Sequence, residues 1–192
     1  GEAKYLEWYY GPQKRFMQII RLNSIKEKKL YDKFDLTLAF QDVHESRHHK
    51  KNESFLRSNR FENVKVYTIS SDFKKSLKKF NFGYGLGHKR QFVSSKANKE
   101  TLEKTFLYNT TRYPNGGSIV EDVFVYFQMK IKATKKLEFL LGSRFNNNTL
   151  NAIFSDTLTY QFPFTKINNI NNSFIRSAGI NYKTSQTSSL HA

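Results

Sequence analysis

The feature that most constrains this 192-residue chain is a two-residue alternation held over long stretches. Within residues 34–46 the even positions Phe34, Leu36, Leu38 and Phe40 are apolar, while Asp35, Thr37, Ala39 and Gln41 are polar or small. Phe80, Phe82, Tyr84 and Leu86 repeat the pattern against Asn81, Gly83, Gly85 and Gly87. It is cleanest in Val123, Val125, Phe127, Met129 and Ile131 against Phe124, Tyr126, Gln128, Lys130 and Lys132. A period of two puts the two sets on opposite faces of a sheet. Seven stretches read as strands, and the segments joining them alternate short and long. Long alternating strands with tight turns at one end and long loops at the other describe a transmembrane β-barrel. The expected fold class is therefore all-β, with antiparallel up-and-down strands forming part of such a barrel.

Composition is compatible with that reading. A hydrophobic fraction of 38% and a mean hydropathy of −0.66 are too polar for helical membrane spans, and no run of about eighteen apolar residues occurs. A barrel escapes this test because only alternate residues need be apolar. Aromatics make up 16%, which suits the interfacial girdles of barrels but equally an aromatic-rich soluble core. The absence of Cys excludes disulfides and thiolate metal sites. A formal charge of +16 raises nucleic acid or an anionic membrane surface as partners. The basic residues, however, spread over turns (Lys26, Lys28, Lys29, Lys74, Lys75, Lys78, Lys79, Lys132, Lys135, Lys136) and loops (Arg47, Lys50, Lys51, Arg57, Arg60). They read as solvated strand ends. Residues 1–192 form one unit that starts in loop-like sequence, ends just inside a new strand, and carries no signal peptide, as expected of a piece of a longer protein.

Residues 7–15 read as an approach to the sheet, with Trp8, Tyr9 and Tyr10 before a Gly11–Pro12 turn. The first strand covers 16–23 and has mixed facing, with Phe16, Ile20 and Leu22 opposite Met17 and Ile19. The expected long loops are 48–61, 93–119 and the Asn-rich 146–172; the expected short turns are 24–33, 72–79, 133–135 and 184–188. The third strand, 62–71, is weakly patterned, and Arg176 interrupts the apolar face of the last strand, 173–183, which a position near a membrane interface permits.

Three motifs invite chemistry. His44-Glu45-Ser46-Arg47-His48 is a literal H-E-x-x-H, which binds zinc when a helix puts both His on one face. Here it continues the strand alternation, and residues four apart on a strand are about 13 Å apart. Gly83, Gly85 and Gly87 fit neither phosphate-loop spacing; they read as relief of crowding on one face of a strand. His48 and His49, with Arg112 and Tyr113 beside the Pro114 turn, are candidate binding residues at a loop end, because a cation beside an aromatic suits an anionic ligand. No catalytic constellation is identifiable, so the chain is expected not to be an enzyme and to carry no cofactor and no metal site of its own.

Several short segments, in order, resemble the barrel of TonB-dependent outer-membrane receptors. They are Trp8-Tyr9-Tyr10-Gly11-Pro12-Gln13-Lys14-Arg15, Phe40-Gln41 with Glu45-Ser46-Arg47, Tyr84-Gly85-Leu86, Thr111-Arg112-Tyr113-Pro114 and Gly142-Ser143-Arg144-Phe145. The resemblance implies a large barrel closed around an N-terminal plug in the outer membrane of a Gram-negative bacterium. Plug and TonB box are absent from these residues. It further implies uptake of an iron complex, a ferric siderophore or haem, powered by the TonB system, with outer-membrane lipid and lipopolysaccharide as surroundings and no nucleic acid. It assigns no functional residue. The rival readings are a soluble basic all-β nucleic-acid-binding protein, which needs aromatics and bases on one exposed face, and a zinc metallopeptidase, which needs a helix at His44–His48.

Overall fold

The structure, a computed structural model, describes residues 4–156, 162–185 and 188–191. They form one antiparallel sheet of ten strands: β1 (Tyr5–Tyr10), β2 (Lys14–Ile25), β3 (Lys33–Lys51), β4 (Arg57–Leu77), β5 (Phe80–Glu100), β6 (Phe106–Tyr108), β7 (Ser118–Lys132), β8 (Leu137–Ile153), β9 (Lys166–Lys183) and β10 (Ser189–His191). Each long strand pairs with its neighbour in sequence, the up-and-down order that the alternation implies. β1 and β2 lie end to end against β3. The short β6 folds back onto the loop end of β5. Among the described residues the two margins of the sheet are not paired with each other, so the sheet is open.

From β2 to β9 the register carries each face across the sheet without a slip. Phe34 lies opposite Phe73, Phe73 opposite Tyr84, Tyr84 opposite Phe127, and Phe127 opposite Ser143. We call this the outward face and the one carrying Asp35 the inward face. In the half of the sheet nearest the short turns, the outward face is almost entirely apolar. Phe34–Phe40, Tyr67–Phe73, Phe80–Leu86, Val123–Ile131, Leu137–Phe145 and Phe174–Tyr182 contribute alternate residues to one band. None of the described residues covers it. Among the described residues Ala152 is the one hydrophobic residue that is buried, while Phe80, Leu86, Val125, Phe127, Leu141 and Phe174 all stand exposed. A single-layer sheet with an apolar outside and no core needs lipid in place of a second layer. Arg176 falls within this band, but its guanidinium lies over the ring of Phe174, 4.9 Å away, so the side chain leans toward the loop end.

The inward face of the same half is dense and polar. Gly83, Gly85 and Gly87 stand where side chains of β7 lie flat across the sheet. A Cβ on Gly83 would sit 2.5 Å from Nε2 of Gln128, and one on Gly87 would sit 2.5 Å from the Phe124 ring. The Tyr126 hydroxyl reaches over Gly85 to donate to Asp72. The glycines relieve crowding, as their spacing suggests; the crowding comes from the neighbouring strand.

The strands are longer than the sequence suggests, and the loops correspondingly shorter. β4 and β5 are each 21 residues, about twice the 9–11 that cross a bilayer. The expected loop 48–61 shrinks to 52–56, and the turn 72–79 to the two residues 78–79, with Lys78 at φ 45°. The short–long rhythm is thereby weakened, since the first turn, 26–32, outlasts the first loop. Residues 7–15, expected as an approach, are mostly β1 and the start of β2. Most of the Asn-rich 146–172 is strand as well. Asn147 donates to Asn172 at 2.7 Å and Asn146 to Ser173 at 3.2 Å, so cross-strand amide bonds offset the poor strand propensity of Asn. Part of that expected loop, 157–161, and part of the expected last turn, 186–187, lie outside the described residues.

Candidate functional site

Beyond the apolar band the strands continue toward the loop end, and their outward face turns polar: Asp42 and His44 on β3, Lys65 and Asn63 on β4, Arg90 on β5, Glu121 on β7, Asn147 on β8. Arg90 and His88 meet Glu121 at 3.3 Å and 3.6 Å. On the inward face of this half, opposed residues bring Glu45, Glu62 and Ser95 into one row, with Arg47 and Arg60 in the next. The row is buried: Glu62 is 6% and Ser95 2% exposed.

What buries it is the segment between β6 and β7. Asn109 donates to Ser58 Oγ at 2.5 Å and to the Asn98 carbonyl at 3.3 Å. Arg60 Nε donates to the Thr110 carbonyl at 3.1 Å. These bonds lay residues 109–112 across the inward face and bring the Arg112 guanidinium to 3.8 Å from Oε1 of Glu45. The same oxygen accepts from Nε and Nη2 of Arg47 at 3.0 and 2.8 Å, and the hydrogen bonds from Arg47 hold the Glu45 carboxyl below the usual carboxylate range. Glu62 is pushed the other way. Burial raises its pKa, Glu45 adds to the rise, and Arg112, Arg47 and Arg60 oppose it without cancelling it. Neither Glu62 oxygen has a hydrogen-bond partner among the described residues.

The break between β1 and β2 shapes the rest of the site. Lys14 lies opposite His44 and Tyr10 opposite Arg47, so three residues, 11–13, face two, 45–46. This is a β-bulge, fixed by a bond from Gly11 N to the Ser46 carbonyl at 3.0 Å. A Cβ on Gly11 would collide with Ser46 Oγ and lie 3.1 Å from His48 Nε2, so a side chain there would push the Ser46 hydroxyl off the His48 ring. The extra residue reverses the facing of β1. Tyr10 joins Arg47 and Trp8 joins His49 on the inward side, while Tyr9 goes outward with His48. Arg47 lies over the Tyr10 ring at 4.8 Å, and Trp8 meets Tyr10 edge-on at 5.1 Å. Arg60 and Arg112 complete an open cleft of about 200 Å³.

The four residues singled out in the sequence fare differently. Arg112 and His49 meet in this cleft. His48 is at its margin with both ring nitrogens engaged, Nδ1 by Asn59 at 2.7 Å and Nε2 by Ser46 at 3.0 Å, and Tyr9 stacked on it at 4.8 Å. Tyr113 lies beyond Arg112, its ring 5.7 Å from the guanidinium, in a neighbouring cleft with Phe154 and Phe162. His49 is held below its usual pKa by burial and by the charges of Arg60 and Lys51. The H-E-x-x-H run lies within β3, so the helix that zinc binding needs is not there; His44 instead meets Asp42 at 3.2 Å and Asn63 at 3.0 Å. Trp8, Tyr10 and Arg60 were not foreseen as site residues. The Gly11–Pro12 pair, a turn signal in the sequence, marks a bulge.

No family model and no curated protein sequence matches the chain. Solved structures do. A copper transporter, OprC, superposes on 92% of this chain with a TM-score of 0.78 at 7% identity. The ferric yersiniabactin uptake receptor FyuA from Yersinia pestis covers 91% with a TM-score of 0.57 at 14% identity. The siderophore receptor PiuA from Acinetobacter baumannii covers 93% with a TM-score of 0.58 at 14% identity. The chain spans 29%, 27% and 31% of the lengths of those three. Its fold is that of a stretch of the barrel of TonB-dependent outer-membrane receptors, the architecture that the sequence resemblance implied.

Proposed function

We propose that these residues are part of the barrel of an outer-membrane receptor that takes up an iron complex, with the turns 26–32, 78–79 and 133–136 in the periplasm and the opposite ends outside the cell. The inward face is then the barrel lumen. The remainder of the barrel, a plug and the segment that engages TonB belong to residues outside this chain. Of the three structural relatives, one is described as a ferric yersiniabactin uptake receptor and another as a siderophore receptor, which supports an iron ligand.

One observation carries the reading. The Arg112 side chain is 33% exposed and makes no hydrogen bond to any described residue, yet it is set in place by Asn109, Thr110 and Glu45. A guanidinium presented in this way at a lumen mouth has its donors free for the oxygens of an anionic ligand. Hydrogen bonds to a charged group contribute about 1.5–3 kcal/mol. Arg112→Ala in the full-length receptor should therefore weaken binding of its iron complex about tenfold or more, at about 1.4 kcal/mol per decade. The check is binding to the purified receptor, together with iron-limited growth of cells that have no other route for that complex. Growth dependent on copper and indifferent to iron would overturn the proposal, as would unchanged affinity in Arg112→Ala.

A further inference from the structure

We infer that the outward face of β4 and β5, just beyond the apolar band at the loop end, binds lipopolysaccharide, with Lys65 and Lys96 on the two phosphates of its lipid A. This rests on the outer-membrane reading with the loop end outside the cell, and is independent of which complex the receptor takes up.

Depth is the first argument. Phe16, Phe40, Tyr67 and Phe92 form one row of neighbouring rings across β2–β5, with successive centroids 6.2, 5.0 and 6.0 Å apart. Such a row closes the apolar band as aromatic girdles do at a membrane interface. On the loop side of it, Lys65 stands one outward position beyond Tyr67, Lys14 one beyond Phe16, and Lys96 two beyond Phe92. A lysine there can lay its stem along the rings and hold its ammonium among headgroups. β4 and β5 are paired on both sides, so closure of the barrel at the sheet margins does not cover their outward positions. Charge is the second argument. All three lysines are exposed, and none has an ion pair or hydrogen bond with a described residue. The acids of this face are engaged elsewhere, Asp42 with His44 at 3.2 Å, and Glu121 with Arg90 at 3.3 Å and His88 at 3.6 Å. Basic clusters at headgroup height attract anionic lipid. Spacing is the third. Lys65 lies opposite Phe92, so Lys96 is four residues farther along the strand direction, about 13 Å. One phosphate does not span that distance. Lipid A carries two, at opposite ends of a disaccharide. Phe61, Asn63 and Ser94 line the groove between the lysines, a ring and two hydrogen-bonding side chains for the sugars.

The test titrates detergent-purified full-length receptor with bisphosphorylated lipid A, dephosphorylated lipid A and phosphatidylglycerol, counting bound lipid by native mass spectrometry. The wild type should prefer the bisphosphorylated form. Lys65→Ala and Lys96→Ala should each weaken its binding about fivefold, which is about 1 kcal/mol per Lys near an anionic surface, and the double variant should combine the two losses. Lys99→Ala, on the inward face of the same strand end, should change nothing. The double variant should keep the electrophoretic shift of a folded barrel, which separates loss of the site from loss of folding. Equal affinity for the phosphorylated and dephosphorylated forms, or the same loss from Lys99→Ala, overturns the site. Preference for phosphatidylglycerol assigns the lysines to phospholipid and overturns it too. Affinity of the wild type for the iron complex, measured alongside, tests the receptor reading separately, since neither lysine faces the lumen.

Discussion

Phe127 and Asn147 stand on the same face of neighbouring strands, four residues from sharing a rung, yet they belong to different worlds. Phe127 sits in the turn-side half, where the outward face is almost entirely apolar and much of it is exposed. Asn147 sits in the loop-side half, where the same face carries amides and charges bonded across strands. The backbone does not register the change: β7 and β8 pair continuously from Ser118↔Ala152 to Lys132↔Glu138. The solvent on each side of the sheet is therefore written in side chains alone. The inward face differs as well. It is packed flat over glycines near the turns, and near the loops it is roofed by residues 109–112 above a buried Glu62 that has no hydrogen bond from a described residue.

The largest expected effect sets these halves directly against each other. An Arg facing lipid near the bilayer midplane costs about 2–4 kcal/mol. Phe127→Arg should reduce the folded full-length barrel by that amount, read from urea unfolding in lipid vesicles, while Asn147→Arg on the same face should cost close to nothing. Equal costs would erase the boundary between the halves.

A smaller effect sharpens what the inward packing near the turns means. The methyl of Gly85→Ala would meet the Ser71 carbonyl oxygen, which is backbone, and the Tyr126 ring at 2.7 Å. That is overpacking worth about 1–3 kcal/mol. Gly142→Ala would meet only the Ser177 hydroxyl, which can rotate, and should be nearly neutral in the same unfolding assay. If the two substitutions cost the same, close packing by β7 is not why the glycines are there.

The smallest effect concerns the roofed region. A carboxyl whose pKa is higher in the folded than in the unfolded state contributes stability at pH below the unfolded value and loses it as pH rises through the folded one. Glu62 is such a group, raised by burial. Docking of residues 109–113 should therefore loosen as pH rises from below the ordinary carboxylate range toward neutrality, seen as faster amide hydrogen exchange there. Glu62→Gln, which carries no charge at any pH, should flatten that dependence. The same pH profile in the variant would assign the effect to another group.

The two halves were not equally legible in the sequence. Near the turns, alternation of large apolar with polar or small residues gave strands, facing and order, because only lipid on one side and packing on the other produce that contrast. Near the loops polar residues stand on both faces, with apolar ones such as Phe61 and Phe92 outward and Val64 and Val93 inward, so period two is blurred, and Asn146–Asn151 read as loop although cross-strand amide bonds hold it as strand. The candidate site suffered likewise. Arg112 could be picked out beside its turn, but its contact with Glu45 joins positions 67 apart in sequence and depends on a folded-back segment. Trp8 and Tyr10 were hidden by one residue of bulge, since an uninterrupted strand would have placed Tyr9 inside instead.

The boundary itself can be measured by spin labels placed singly at Phe127, Gln128 and Asn147 of the full-length receptor in lipid vesicles, a choice helped by the lack of native Cys in these residues. Collision with dissolved oxygen reports lipid, and collision with a water-soluble nickel chelate reports water. The account predicts a label at Phe127 reached by oxygen and shielded from nickel, one at Asn147 reached by nickel, and one at Gln128 without the oxygen signature of lipid. Lipid signatures at both Phe127 and Asn147, or at Gln128 in place of Phe127, would contradict it.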